Sequence, residues 1–520
     1  MERVLIANRG EIASRLSRTL KKMGFYTVGL ATNWDINLPY VHDLDAIKYV
    51  ATDNVSEVFL NPSFLVGTAG EFSCKYIHPG YGFLAENFEF FEACGSGGIT
   101  VIGPPKEAVR DLGSKLKLKE VCEKLQVPTL KEISVEKDNL AGLLPVIIKG
   151  SDTGGGRGMR IVKSLSELET LLESAQQEVK SFGGGRVFCE PYLENVKHIE
   201  IQVIVDKRGN VTALFERDCS VQRNFQKVVE ETPCPTLSES LRNSLRECAI
   251  RIASSLKHHS IYTYEFLVQG DNFYLSEINT RLQVEHTVTE ELYMIDLVEI
   301  QTLISVCPEY VVDTTFDRVR ESSIQLRLYA EDTSSFKPSS GYVQELEFNV
   351  MPSRLELTYK GGNFVSPFYD PMIAKIIETG SSRGECVKNL KDVLENVTVS
   401  GIETNLEFLL WVLNNQSFLN GDYTTSLPSS FRTIKKNKQK DTGTLPYEEK
   451  NEMPEHVSPV LGCVSRIQKK DGTVQKGEPV LFIESMKILH PVFANKAGTI
   501  ELLVNEGDVV KKGQLLFRVT

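Results

Sequence analysis

The sequence predicts a chain that begins as a doubly wound α/β domain and closes as a small all-β sandwich. Three observations predict this. Residues 2–7 (ERVLIA) form a short apolar run, followed by Asn8-Arg9-Gly10-Glu11, a helical pattern at Ile12, Leu16 and Leu20, and a second apolar run, YTVGLA, at 26–31. Strand, turn, helix and strand in that order are the grammar of a parallel α/β sheet. Near the other end, Gly462-Cys463-Val464 recurs as Gly498-Thr499-Ile500, and Val474-Gln475-Lys476-Gly477 as Val510-Lys511-Lys512-Gly513, both offset by 36 residues (462 to 498, 474 to 510). Two like halves of short strands and glycine turns predict a sandwich with pseudo-twofold symmetry. Glu484-Ser485-Met486-Lys487 falls at the turn between the halves. Residues 432–456 are polar and almost free of bulky apolar side chains, which reads as a linker. If flexible, it has a root-mean-square span of about 25–30 Å.

Composition bounds the function. With 520 residues, 41% hydrophobic and 24% charged, two to four soluble globular domains are expected. No apolar run of about 18 residues occurs, so no membrane span is indicated. MERVLIANRGEIA starts directly in a strand pattern, neither a signal nor a transit peptide, so the expectation is a cytoplasmic protein. A mitochondrial matrix protein with its leader already removed is the alternative. Ten cysteines without a CxxC pair read as reduced thiols of an intracellular protein. A net charge of -11 argues against a general nucleic-acid binder.

In chain order, 41–70 is polar and irregular. Gly113-Ser114-Lys115 opens an amphipathic helix with Leu116, Val121 and Leu125. Pro145-Val146-Ile147-Ile148-Lys149 is a buried-type strand, followed by GSDTGGGRGM at 150–159. Glycines let backbone N–H groups approach a polyphosphate, and Arg157 adds charge, but a flexible hinge has the same composition. HIEIQVIV at 198–205 alternates as a strand. Residues 216–233 (ERDCSVQRNFQKVVEETP) place three basic residues within twelve positions, as a solvated loop or an anion site would.

The densest chemistry lies at 261–286. TYEFLV reads as a strand carrying Glu265. FYLSEINTRLQVEH reads as a second strand, whose period of two puts Glu277, Asn279, Arg281, Gln283 and Glu285 on one face. Burying such groups without partners is costly, so this is not an ordinary core face. Glu265, Glu277 and Asn279 offer the oxygen ligands that Mg²⁺ prefers. Glu285, beside Arg281, is a candidate base. A structural salt-bridge ladder is the competing reading.

Several of these segments resemble the biotin carboxylases: ANRGEIA at 7–13, HPGYGFLAEN at 78–87, SEINTRLQVEH at 276–286, the segment Ser323–Asp332 with Ala330-Glu331-Asp332, and Tyr369-Asp370-Pro371-Met372. Met486-Lys487 at a sandwich turn resembles the biotin carboxyl carrier domain. The resemblance implies an α/β N-terminal domain (1–112), an ATP-grasp α+β domain (113–318, with a lid at about 127–190), a C-terminal α+β domain (319–431), the linker, and a biotinyl/lipoyl-like sandwich (457–520). It further implies biotin on Lys487, ATP, and Mg²⁺ or Mn²⁺ on Glu265, Glu277 and Asn279. The nucleotide contacts implied are Lys115, Lys149, Gly155, Gly156, the hinge Glu190–Leu193, His198 and Gln222. Bicarbonate is implied at Lys227, Arg281, Gln283 and the backbone of Val284, with Glu285 taking its proton and Arg327 stabilising the biotin enolate. A separate carboxyltransferase subunit accepting an acyl-CoA, with acetyl- or propionyl-CoA favoured, a biotin protein ligase, and a homodimer or larger assembly are the partners implied. Three positions depart from the family pattern: Thr153 for glycine, Phe225 for histidine and Thr287 for proline. They keep open a degenerate biotin- or nucleotide-binding subunit, and a urea carboxylase-like enzyme is the other alternative.

Overall fold

The computed structural model describes residues 1–135, 140, 142–151, 158–181, 185–223, 225–313, 315–333, 336–431, 456–486 and 488–520. The glycine loop with Thr153, Gly155, Gly156 and Arg157, most of the linker, and Lys487 therefore lie outside the described residues.

The chain opens as expected. β1 (Arg3–Ile6), α1 (Gly10–Lys22), β2 (Tyr26–Ala31), β3 (Ala46–Tyr49), β4 (Tyr76–His78) and β5 (Thr100–Val101) give an all-parallel sheet in the order β3-β2-β1-β4-β5. Leu5, Val28, Leu30 and Ile77 fill one core beneath it. α1 carries Glu11 in its first turn and Lys21 and Lys22 in its last, which complements the helix dipole. The stretch 41–70 is more regular than its composition suggests. It contains the edge strand β3 and a helix over Pro62–Glu71, started by the Asn61 side chain accepting from the Phe64 N–H, with proline in the first turn.

α2 (Lys115–Lys124) leads to a small antiparallel sheet, β7-β6-β8, made of β6 (Val146–Gly150), β7 (Arg160–Val162) and β8 (Val187–Pro191), with α3 (Leu168–Ser181) packed on it. The main sheet is antiparallel and eight-stranded. It contains β9 (Lys197–Val205), β10 (Val211–Arg223), β11 (Gln226–Thr232), β12 (Ser260–Gln269), β13 (Asn272–Asn279), β14 (Ser322–Tyr329), β15 (Arg354–Leu357) and β16 (Met372–Gly380), in the order β13-β12-β9-β10-β11-β14-β16-β15. β11 pairs with β14, so the sheet runs unbroken past residue 318. α4 (His286–Tyr293) packs against β14, β11 and β10.

One expectation is corrected. The strand carrying Glu277 stops at Asn279. The Thr280 N–H donates to the Glu86 carboxylate at 3.2 Å instead of to a neighbouring strand. Arg281 and Gln283 then follow on an irregular stretch, and Glu285 sits at the N-cap of α4. The five side chains therefore converge through a strand end, a turn and a helix start, not along one strand face.

The C-terminal sandwich follows its repeat. β17 (Gly462–Ile467), β19 (Pro479–Ser485), β20 (Ile488–Phe493) and β22 (Val509–Val510) form one sheet, β20-β19-β17-β22. β18 (Thr473–Val474), β21 (Gly498–Leu502) and β23 (Phe517–Val519) form the other, β18-β21-β23. Gly462 pairs with Val510, and Gly498 with Val474, so each half lends a strand to the other in the same register. A Cβ on Gly462 would collide with the Glu484 carbonyl oxygen, and one on Gly498 with the Thr520 carbonyl oxygen, again 36 residues apart (484 to 520). The sandwich has a core of its own, including Val464, Val480, Ile500 and Phe517. Its hairpin turn docks on the body: Met486, at φ +50°, donates its N–H to the Pro367 oxygen at 2.5 Å, and its side chain is 1% exposed within the body's main core. Arg466 donates to Gln177 of α3 at 2.9 Å.

Candidate active site

Three strands of the main sheet and the start of α4 deliver charged groups to one buried point. Glu200 (β9), Lys227 (β11) and Glu265 (β12) meet Glu285. The Lys227 ammonium donates to Glu265 at 3.0 Å, to Glu285 at 2.6 Å and also to Glu200. Burial disfavours every charge here, but mutual pairing reverses it. Burial raises the Glu200 and Glu265 carboxyls, but Lys227 and His198 together, with Arg217 also at Glu200, outweigh it and hold each at about 2. Glu285 is held well below the usual carboxylate range for the same reason, with Arg327 adding to Lys227. Burial lowers the His198 imidazole, yet Glu265, 2.9 Å away, and Glu200 lift it to about 9.

A fully buried guanidinium braces this cluster. Arg217 contacts Glu200 at 3.1 Å, Gln202 at 2.9 Å, Thr289 at 3.0 Å, Thr263 at 3.1 Å and Gln283 at 2.8 Å. Gln283 in turn donates to Glu265 at 2.7 Å. The Val284 carbonyl accepts from Lys375 at 3.2 Å, and Lys375 pairs with Glu11 at 3.0 Å, which ties the ANRGEIA turn to the site. Asn8 donates to the Pro79 and Tyr81 carbonyls at 2.7 and 2.8 Å, so the two N-terminal signatures fold into one unit.

Arg281 and Glu285 are not the pair the sequence suggested. Arg281 donates to Glu86 at 2.8 Å and to Asn279 at 2.9 Å, whereas the cations in contact with Glu285 are Lys227 and, at 3.0 Å, Arg327. Arg327 also pairs with Glu230. Glu265 and Glu277 are register partners across β12 and β13, and the Asn279 amide reaches them at 2.7 and 3.5 Å. Lys115 lies 3.4 Å from Glu277, and its N–H donates to the Ser151 carbonyl. Glu190, on β8, is buried between Lys119 and Lys149, the latter at 2.6 Å. Leu193 follows, half-buried, beyond the end of β8. Gln222 lies 2.9 Å from His198 and donates to the Cys219 carbonyl.

Two of these sets test the expected metal. Glu265, Glu277 and Asn279 are hard oxygen donors and suit Mg²⁺ or Mn²⁺. His198, Glu200 and Glu265 also offer converging donor atoms. Lys227 and Arg217 already neutralise Glu200, so that second set reads as an ion-pair network. Glu86, Glu200, Arg217 and Glu230 contact members of this cluster, and Lys119 pairs with Glu190; none of these five was singled out from sequence. A usable signal existed for Glu200, which shares the alternating face of HIEIQVIV with His198. Another existed for Lys119, one helical turn beyond Lys115.

Comparison with known proteins agrees with this architecture. Residues 1–109 match the biotin carboxylase N-terminal domain, 115–309 the carbamoyl-phosphate synthase L chain ATP-binding domain, 325–429 the biotin carboxylase C-terminal domain and 454–519 the biotin-requiring enzyme domain. The chain is 37% identical over 448 residues to a biotin carboxylase of Halalkalibacterium halodurans, covering 84% of this chain and 98% of that one. It is 38% identical over 437 residues to the methylcrotonoyl-CoA carboxylase subunit alpha of Dictyostelium discoideum, covering 81% of this chain but 62% of that protein. Among solved structures, it matches the biotin carboxylase domain dimer of Hydrogenobacter thermophilus 2-oxoglutarate carboxylase, described in complex with MgADP, ADP and bicarbonate, with a TM-score of 0.79 and 36% identity over 83% of this chain and 98% of that one. Fold and site together define an ATP-dependent ligase carrying a biotin-requiring domain. The chain belongs to the biotin carboxylase family. Among the described residues, no helix is long and apolar enough to cross a membrane.

Proposed function

We propose that this chain is the α-type subunit of an acyl-CoA carboxylase, and that it uses ATP and bicarbonate to load the carrier domain it carries itself. The observation that carries this reading is the docked hairpin. The Met486 turn lies against Pro367, and four residues on, the Pro371 carbonyl accepts from the Ala330 N–H, just past the strand that holds Arg327. The turn bearing the expected biotin site thus rests on the segment that hydrogen-bonds to the end of the strand carrying Arg327.

In this reading Lys227, Arg281, Gln283 and the Val284 backbone hold bicarbonate, and Glu285 takes its proton. Glu285 suits that task by position, beside Lys227 of the expected bicarbonate site, and its two cations keep it ionised at the expense of its basicity. The deprotonated oxygen then attacks the γ-phosphorus of ATP, and the bond to the ADP oxygen breaks. Lys115, Lys149 and the glycine loop neutralise the phosphates, with Glu190–Leu193, His198 and Gln222 at the nucleotide. Glu265, Glu277 and Asn279 would hold Mg²⁺ or Mn²⁺, which would supply further positive charge beside the phosphates. Lys487 would carry the biotin, attached by a biotin protein ligase, and that group would supply the nitrogen that accepts the carboxyl group. Arg327 would offer its guanidinium to the ureido oxygen of that group.

The final acceptor in this reading is an acyl-CoA of short chain, acetyl-, propionyl- or methylcrotonyl-CoA, chosen by a separate carboxyltransferase chain; the methylcrotonoyl-CoA carboxylase α subunits among the relatives support an acyl-CoA. A homodimer is the expected assembly, as in the Hydrogenobacter structure. The test is phosphate release by the purified chain as bicarbonate is varied. Bicarbonate-dependent ATP cleavage that free biotin stimulates supports the reading. No such cleavage at saturating ATP overturns it in favour of a binding subunit.

A further inference from the structure

We infer that Thr287 and Gln325 are positioning residues that hold the Arg327 guanidinium in place, an inference that rests on the assignment of Arg327 to biotin made above. Thr287 lies in the first turn of α4, fully buried, and its hydroxyl donates to the Gln325 side-chain oxygen. That contact decides which way the Gln325 amide faces. With Oε1 occupied, Nε2 is the end turned towards Glu230, to which it donates at 3.0 Å. Gln325 and Glu230 are register partners across β14 and β11, so this bond spans one rung of the sheet. Glu230 also pairs with Arg327, two residues along β14 on the same face as Gln325, and Arg327 reaches Glu285 at 3.0 Å. Glu285 is two residues before Thr287. The bonds therefore close into a ring: Glu285, the start of α4, Thr287, Gln325, Glu230, Arg327 and back to Glu285.

None of the five residues in this ring is more than 7% exposed, so water cannot stand in for a lost partner. Without the Thr287 hydroxyl, the Gln325 oxygen loses its donor in a buried setting, and the bond to Glu230 alone holds the amide. A side chain held at one end shifts towards another donor, and the Glu230 carboxylate that anchors Arg327 loses its brace. The family pattern has proline at 287, which carries no hydroxyl, so this link belongs to the present sequence.

The test uses the full chain with Lys487→Arg, so that free biotin is the acceptor. Thr287→Val is expected to lower kcat/KM for free biotin about tenfold, the scale of one hydrogen bond to a charged network. ATP cleavage in the absence of biotin should stay within about twofold, because Glu285, the one ring member placed in that step, keeps its contact with Lys227 at 2.6 Å outside the ring. Thr287→Ser should restore the biotin value. A crystal structure of Thr287→Val should show Arg327 moved off Glu230. Equal losses in both activities, or an unmoved Arg327 with normal biotin kinetics, overturn the inference. Arg327→Lys is the control: if it leaves biotin kinetics unchanged, the assignment of Arg327 itself falls, and the inference with it.

Discussion

The charge cluster around Lys227 and the C-terminal sandwich are built on opposite principles. The cluster draws Glu200, Lys227, Glu265, Glu285 and Arg327 from residues more than a hundred positions apart, and each is kept charged in a buried setting by the others. The sandwich is assembled from neighbours, each half lending the other a strand, around apolar residues of its own. Removing one member of the first strands several buried charges. Changing one surface residue of the second leaves its core intact. In the proposed function the division follows the same line, with chemistry assigned to the interlocked site and transport to the self-contained one.

The largest expected effect breaks transport alone. Lys487→Arg should abolish streptavidin labelling of the purified chain while leaving ATP cleavage with free biotin intact. A labelled variant would move the biotin to another lysine and undo the division just drawn. Next, Glu285→Gln should cut bicarbonate-dependent turnover by at least about 10²-fold, the usual scale for a general base. Its affinity for ATP should change little, and a near-normal rate would mean that another group takes the proton.

The junction between the two regions should respond to pH. Burial, helped by nearby Lys337, lowers the His490 imidazole to about 4. Once the carrier undocks, His490 regains water and loses Lys337, and its value returns towards the ordinary 6.5. The docked value lies below the free one, so docking is at full strength above the free value and weakens as pH falls from there towards 4. At pH 5.5 docking should be roughly tenfold weaker than at pH 8. Energy transfer between labels on the carrier and the body would report it, and His490→Asn should flatten the profile. The smallest effect concerns Phe225, which turns the β10–β11 hairpin at φ +63°. Lacking a donor where the family has histidine, it should raise the KM for ATP. Phe225→His should lower that KM by a few-fold up to about 100-fold, with kcat nearly unchanged. An unchanged KM would place Phe225 away from the nucleotide.

Local order was legible in the sequence and distant pairing was not. The 36-residue offset specified the sandwich because strand exchange between equal halves demands equal spacing. The acids of β12 and β13 stood out because alternation is a local rule. That rule failed at Asn279, where Glu86, nearly two hundred residues upstream, takes the Thr280 N–H and ends the strand. The partners of Glu285 arrive from β11 and β14, and no spacing within 276–286 announces them. Arg217 was hidden in a segment that reads as a charged loop, yet it is a fully buried cation of the site.

Met486 belongs to the sandwich by sequence and to the body by packing. Each departure of the carrier therefore bares a methionine, and each return covers it again. Covering one such side chain is worth about 1.5–3 kcal/mol, a preference for the docked state of roughly 10- to 150-fold from that contact alone. A grip of that depth is enough to favour loading and shallow enough for thermal escape, so the domain's timetable is written into one thioether at its tip.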